Sequence, residues 1–178
     1  MINKKLEQNI YLIGFMAAGK STIGKKLAET LNFSFIDLDD WLEVGEKQTI
    51  SDMFSQHGEA FFREKEQIYL HKTAHLKAHI IATGGGTPCY FDSMAHIKQL
   101  GTSFYLQSSA QMLAERLMQE RAKRPLANGF DNLKDLEIFV QQKLQTRKKH
   151  YEQADKIIFT QHKSIKNIID EMIGFLQT

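Results

Sequence analysis

Asn9-Ile10-Tyr11-Leu12-Ile13-Gly14-Phe15-Met16-Ala17-Ala18-Gly19-Lys20-Ser21-Thr22 decides how this chain is read. A short β-prone run ends at Gly14, and beyond the segment Ile23, Leu27 and Leu31 recur at helical spacing. Between strand and helix stands G-x-x-x-x-G-K-[ST], in the context where backbone N–H groups and the positive end of a helix dipole form a nest for phosphate. In that pattern Lys20 neutralises β- and γ-phosphate oxygens, and the Ser21 hydroxyl gives Mg²⁺ one ligand, with phosphate and water supplying the rest. The bland alternative is a glycine-bearing turn that only packs tightly. Gly14, Gly19, Lys20 and Ser21 at their required places speak against it.

Working outward, five β-rich runs at 9–14, 34–37, 79–83, 103–107 and 156–160 alternate with longer amphipathic stretches. Several runs are almost continuously apolar, as strands covered on both faces should be. The pattern predicts an α/β three-layer sandwich around a five-stranded parallel sheet. Helices are expected after the first strand, over 59–76, 110–121 and 133–150, and at the C-terminus, where Ile165, Ile168, Ile169, Met172, Phe175 and Leu176 form a stripe. Pro88 and Pro125 fall in connections. Around Pro125, the stretch 123–131 holds Asn128 and Gly129, lacks apolar periodicity and reads as a mobile loop.

The chain has 178 residues, the size of one domain, and 23 Lys+Arg against 21 Asp+Glu leave a net charge of +2. That balance argues against a nucleic-acid or acidic-membrane partner. No run of transmembrane length occurs, and Lys4, Lys5, Glu7 and Gln8 precede the first strand in place of an apolar leader. One cysteine, Cys89, can form no internal disulfide. A soluble cytoplasmic protein, acting as a monomer, is expected.

The second strand runs into Phe35-Ile36-Asp37-Leu38-Asp39-Asp40, which puts carboxylates at the sheet edge beside the phosphate loop. They suit magnesium or substrate; equally, Asp39 or Asp40 could cap the helix that follows.

Further along stand Phe61-Phe62-Arg63-Glu64-Lys65-Glu66, the run Gly84-Gly85-Gly86 after the third strand, Arg124-Pro125-Leu126 in the loop, and Arg147 four residues before Tyr151. With 14–22 and 37–39, their order and spacing over the whole chain resemble the shikimate kinase family. The resemblance implies a P-loop fold like that of nucleoside monophosphate kinases, with a substrate-binding helical segment over about 38–77 and a lid over about 116–131. It implies transfer of the ATP γ-phosphoryl group to shikimate, giving shikimate 3-phosphate and ADP in aromatic amino acid biosynthesis.

By the same resemblance Gly14, Ala17, Ala18, Gly19, Lys20, Ser21 and Thr22 bind ATP together with Arg116 and Arg124. Asp39, Arg63, Gly84, Gly85, Gly86 and Arg147 hold the acceptor, and Phe54 and Phe62 wall its ring. Asp37 joins Ser21 at Mg²⁺, and Lys20, Asp39 and Arg124 are the catalytic group. The chemistry is consistent: two arginine forks suit one carboxylate, and Asp39 can orient a hydroxyl and take its proton.

Ordinary readings stand beside these. Arg63 lies four residues after Glu59 and three before Glu66, the spacing of helical ion pairs, and Arg147 opens a cationic helix end. Arg121 rivals Arg116 for the nucleotide, and adenine is expected near 160–163. Ala17 stands where the family usually has glycine, and would be strained if its φ were positive. His71 and His75 could share a helix face as a metal pair, although a solvated face accounts for them as well. The rival functions are a gluconate or nucleoside monophosphate kinase of the same architecture, and a nucleotide-binding switch.

Overall fold

A computed structural model of the chain describes residues 8–120 and 129–178. The strand Asn9–Ile13 (β1) lies mid-sheet. It pairs in parallel with His79–Ala82 (β3) on one side and Gly101–Gln107 (β4) on the other. Ser34–Asp37 (β2) pairs with β3 and Lys156–Phe159 (β5) with β4, so the five strands run β2-β3-β1-β4-β5, all parallel. The α/β three-layer expectation is borne out.

Alternation along β1 explains the layers, because successive side chains of a strand point to opposite faces. Ile10 and Leu12 face one core, completed by the helices Lys20–Leu31 (α1), Ala110–Gln119 (α5), Leu133–Tyr151 (α6) and Ile165–Leu176 (α7). Tyr11 and Ile13 face the other, built with Leu38–Glu46 (α2), Ile50–Lys72 (α3) and Ser93–Leu100 (α4). Ile10, Tyr11, Leu12 and Ile13 have no exposed surface. Each such side chain contributes about 1.5–3 kcal/mol relative to exposure.

Buried polar groups tie these layers together, although His96 Nε2 on α4 is buried without a hydrogen-bond partner among the described residues. Asn9 Nδ2 donates to the Thr73 and Leu76 carbonyls while its Oδ1 accepts from the His79 amide, tying β1 to the end of α3 and the start of β3. Tyr11 meets Thr73 Oγ1 at 2.7 Å.

Several boundaries differ from the sequence reading. The helix expected from 59 begins at Ile50, because a further helical stretch leads into it across a break at Gly58, whose φ of 81° and ψ of 175° leave the helical region. Glycine tolerates that conformation, so two helices meet there end to end. β4 begins two residues earlier than expected, at Gly101. The unforeseen α4 buries Met94 and Ile97, too short a stripe to stand out. The cap of α2 is neither Asp39 nor Asp40: the Asp37 carboxylate accepts from the Asp39 amide at 3.2 Å.

Candidate active site

All five strands point their C-terminal ends to one edge, where the β1–α1 turn forms the floor of a cleft of about 540 Å³. Gly14 makes this turn possible. Its φ is 149°, and a Cβ there would lie 2.8 Å from the Leu106 carbonyl oxygen of β4. Ala17 does take a left-handed φ of 62°, so the strain anticipated for an alanine here is present. Gly19, with φ 91°, precedes α1 and supplies no side-chain cap, which leaves the helix's first amides directed at the cleft.

Lys20 is nearly buried and donates to the carbonyls of Gly14 and Phe15, both at 2.9 Å. Ser21 Oγ donates to Asp37 Oδ2 at 2.5 Å. A hydroxyl and a carboxylate so placed are hard oxygen donors of the kind Mg²⁺ prefers, few enough to leave positions for phosphate and water. Asp37 therefore has two contacts, one with α2 and one with the phosphate loop. Among the described residues no group of three or more His, Cys, Asp or Glu side chains could hold a metal. His71 instead stacks on His96, with ring centroids 4.0 Å apart.

Asp39 also lines the cleft. Burial, then the negative charges of Glu66 and Asp37, push its carboxyl up to about 7, against the opposing pull of Lys20 and Arg63. Such a group changes protonation near neutrality, as a general base should.

The acceptor-side residues predicted from sequence meet around the glycine turn. A Cβ on Gly84 would fall 2.6 Å from Glu66 Oε1 and 2.7 Å from Asp39 Oδ1. One on Gly86 would fall 2.6 Å from Arg63 Nη2. Only glycine lets this turn approach α3 so closely. The Gly85 carbonyl accepts from Arg147 Nη1 at 3.1 Å and from the Tyr151 hydroxyl at 2.5 Å, both on α6.

Arg63 does form both ion pairs that its spacing allowed, with Glu66 at 2.7 Å and Glu59 at 3.2 Å. Yet it is a buried group rather than a surface one, 9 % exposed. Phe54 packs on Phe62 with centroids 4.7 Å apart, but Phe54 is 38 % exposed and Phe62 only 4 %.

On the nucleotide side, Arg116 Nη1 donates to the Ala17 carbonyl at 3.1 Å. Thr160 and Lys163 line the cleft, in the segment expected near adenine. Arg121 and Arg124 lie outside the described residues, as does half of the predicted lid.

Sequence reasoning missed four participants. Glu66, 2 % exposed, joins Arg63 to Thr87, whose hydroxyl donates to it at 2.5 Å; the sequence showed it only as the end of the Phe61–Glu66 run and as an ion-pair neighbour of Arg63. Thr83 lines the cleft and donates to the Leu12 carbonyl. Tyr151, which the sequence marked only by its place four residues after Arg147, and Tyr90, which it did not mark, act through contacts distant in sequence.

The family model for shikimate kinase matches residues 16–177, nearly the whole chain. The chain belongs to the shikimate kinase family. A shikimate kinase of Bacteroides fragilis is 41 % identical over 150 residues, 83 % of this chain and 82 % of that protein. The crystal structure of the shikimate kinase of Bacteroides thetaiotaomicron superposes with a TM-score of 0.90 at 34 % identity, covering 97 % of this chain and 99 % of that one. The Acinetobacter baumannii shikimate kinase in complex with shikimate superposes at 0.87 with 30 % identity, covering 97 % and 94 %. Family membership makes the chain an ATP-dependent kinase, with ATP as co-substrate. Among the described residues no helix is long and apolar enough to cross a membrane.

Proposed function

We propose that the chain transfers the γ-phosphoryl group of ATP to a ring hydroxyl of shikimate, giving shikimate 3-phosphate and ADP. The observation that carries this reading is the meeting of Asp39, Arg63, Arg147 and the glycine turn beside the phosphate loop. A triphosphate seated on 14–22 would take over the Lys20 ammonium from the two loop carbonyls, placing its charge on the β- and γ-phosphates. Ser21 and Asp37 would hold Mg²⁺, which supplies charge neutralisation at the phosphates. Arg116 would meet the nucleotide from α5.

On the other side, the Arg63 and Arg147 forks would take the acceptor's carboxylate, with Phe62 walling the ring and Phe54 backing it. Gly84, Gly85 and Gly86 let the backbone come close to the ring. Asp39 then accepts the proton of the attacking hydroxyl. The new P–O bond forms as the bond between the γ-phosphorus and the bridging oxygen breaks, and ADP leaves. Positioning and charge neutralisation account for the catalysis, without a covalent intermediate on the protein. Arg124, outside the described residues, completes the catalytic group, as the family resemblance implies.

Purified protein supplied with ATP, Mg²⁺ and a panel of shikimate, gluconate and nucleoside monophosphates tests the assignment by ADP release. Turnover with shikimate is expected. Turnover with gluconate or a nucleotide, and none with shikimate, contradicts it.

A further inference from the structure

Tyr90 closes the short 3₁₀ turn after the glycine run, where the sequence suggested no function. The Arg63 guanidinium lies over its ring, with the central carbon 4.1 Å from the ring centroid, and the Phe62 centroid is 4.9 Å from the same carbon. The Tyr90 hydroxyl donates to Glu59 Oε1 at 2.7 Å. That same oxygen accepts from Arg63 Nε at 3.3 Å and Nη2 at 3.2 Å. The Tyr90 bond pulls the Glu59 carboxyl below its ordinary range and pushes the Tyr90 hydroxyl above its own. From the interior, Glu66 takes Nη1 at 2.7 Å.

These contacts fix the guanidinium plane without using all of its hydrogens. A guanidinium has five N–H groups. Glu59 and Glu66 engage one on each nitrogen, leaving one on Nη1 and one on Nη2 to grip an acid in a bidentate fashion. Glu59 alone would be a loose anchor, since its side chain is 53 % exposed and follows directly on the Gly58 break. Tyr90 supplies what it lacks: a flat face that sets the plane, and a hydroxyl that holds Glu59 against Arg63.

We propose that Tyr90 is a specificity-determining positioning residue, holding the Arg63 fork, through its ring and through Glu59, at the angle that receives a ring carboxylate. The inference rests on the reading that Arg63 takes the carboxylate of the acceptor.

Steady-state kinetics of the whole chain, with shikimate and ATP varied separately, test it in the wild type, Tyr90→Phe, Tyr90→Leu, Arg63→Lys and the Arg63→Lys/Tyr90→Leu double variant. Tyr90→Leu is expected to raise the KM for shikimate about tenfold and Tyr90→Phe about threefold, with the KM for ATP unchanged. In the Arg63→Lys background the Tyr90→Leu effect should fall below about twofold, because the fork it positions is already lost. An unchanged shikimate KM, an equal rise in both KM values, or the same factor in the Arg63→Lys background overturns the proposal. Should Tyr90→Leu fail to fold, Tyr90→Phe with and without Arg63→Lys decides by the same comparison. Absence of shikimate turnover in the wild type defeats the acceptor assignment itself, a result distinct from normal turnover that is indifferent to Tyr90.

Discussion

Asp39, the base of the proposed reaction, sits where its burial works against stability. Its carboxyl is raised to about 7 by burial and by the charges of Glu66 and Asp37. Between the ordinary carboxylate range and that value the folded state holds a proton that the unfolded chain has released, so the contribution of Asp39 to stability falls as pH rises through this window. Asp39→Asn should therefore melt a few degrees above the wild type at pH 8, with the difference vanishing near pH 4, as read by thermal unfolding. A variant less stable than the wild type at pH 8 would contradict this. In catalysis the dependence is opposite in sense: as a base Asp39 must be ionised, so kcat/KM for the acceptor should decline below about pH 7 and be nearly lost in the Asn variant. Ala17 is a second strained position, with φ at 62°. The sequence posed the question of its backbone, and only the turn's geometry answers it.

At the scale of elements, the glycine turn is the piece against which α2, α3 and α6 are registered. Gly86→Ala would set a Cβ 2.6 Å from Arg63 Nη2, which Glu59 holds, and 2.7 Å from Nη1, which Glu66 holds. The expected result is a rise of about tenfold in the KM for the acidic acceptor with the KM for ATP unchanged, since the phosphate loop is untouched. Equal effects on both KM values would mean that the turn serves only the general packing.

How legible each element was follows from the range of its interactions. β1, the phosphate loop and α1 could be read because strand, nest and helix are local and contiguous. Asp37 was placed at the sheet edge by its strand, but its double contact with Ser21 and with the α2 amide depends on how the chain turns afterwards. The spacing of Arg63, Glu59 and Glu66 revealed the ion pairs and not their burial, because the Gly84–Gly86 turn and Tyr90 arrive from more than twenty residues away. α4 escaped notice because eight residues give too few repeats of a helical stripe.

Across the whole molecule, a parallel order with β1 in the middle brings the ends of all five strands to one edge, where the phosphate loop meets the glycine turn. Ligand binding to that edge should stabilise the entire domain. ATP with Mg²⁺ at about 100 times Kd adds about 2.7 kcal/mol, so Tm should rise by roughly 5–10 °C for a chain of this size. Lys20→Ala should lose most of that rise while keeping its own fold, because Lys20 contacts loop carbonyls rather than the apolar core. No rise in the wild type would mean that the phosphate loop does not receive the nucleotide.

The most direct measurement follows the γ-phosphorus of ATP by ³¹P NMR in the presence of Mg²⁺ and shikimate. The account predicts a phosphate monoester signal that grows one-for-one with ADP, requires shikimate and is absent with Lys20→Ala. Release of inorganic phosphate alone, or ADP formation at the same rate without shikimate, would contradict it.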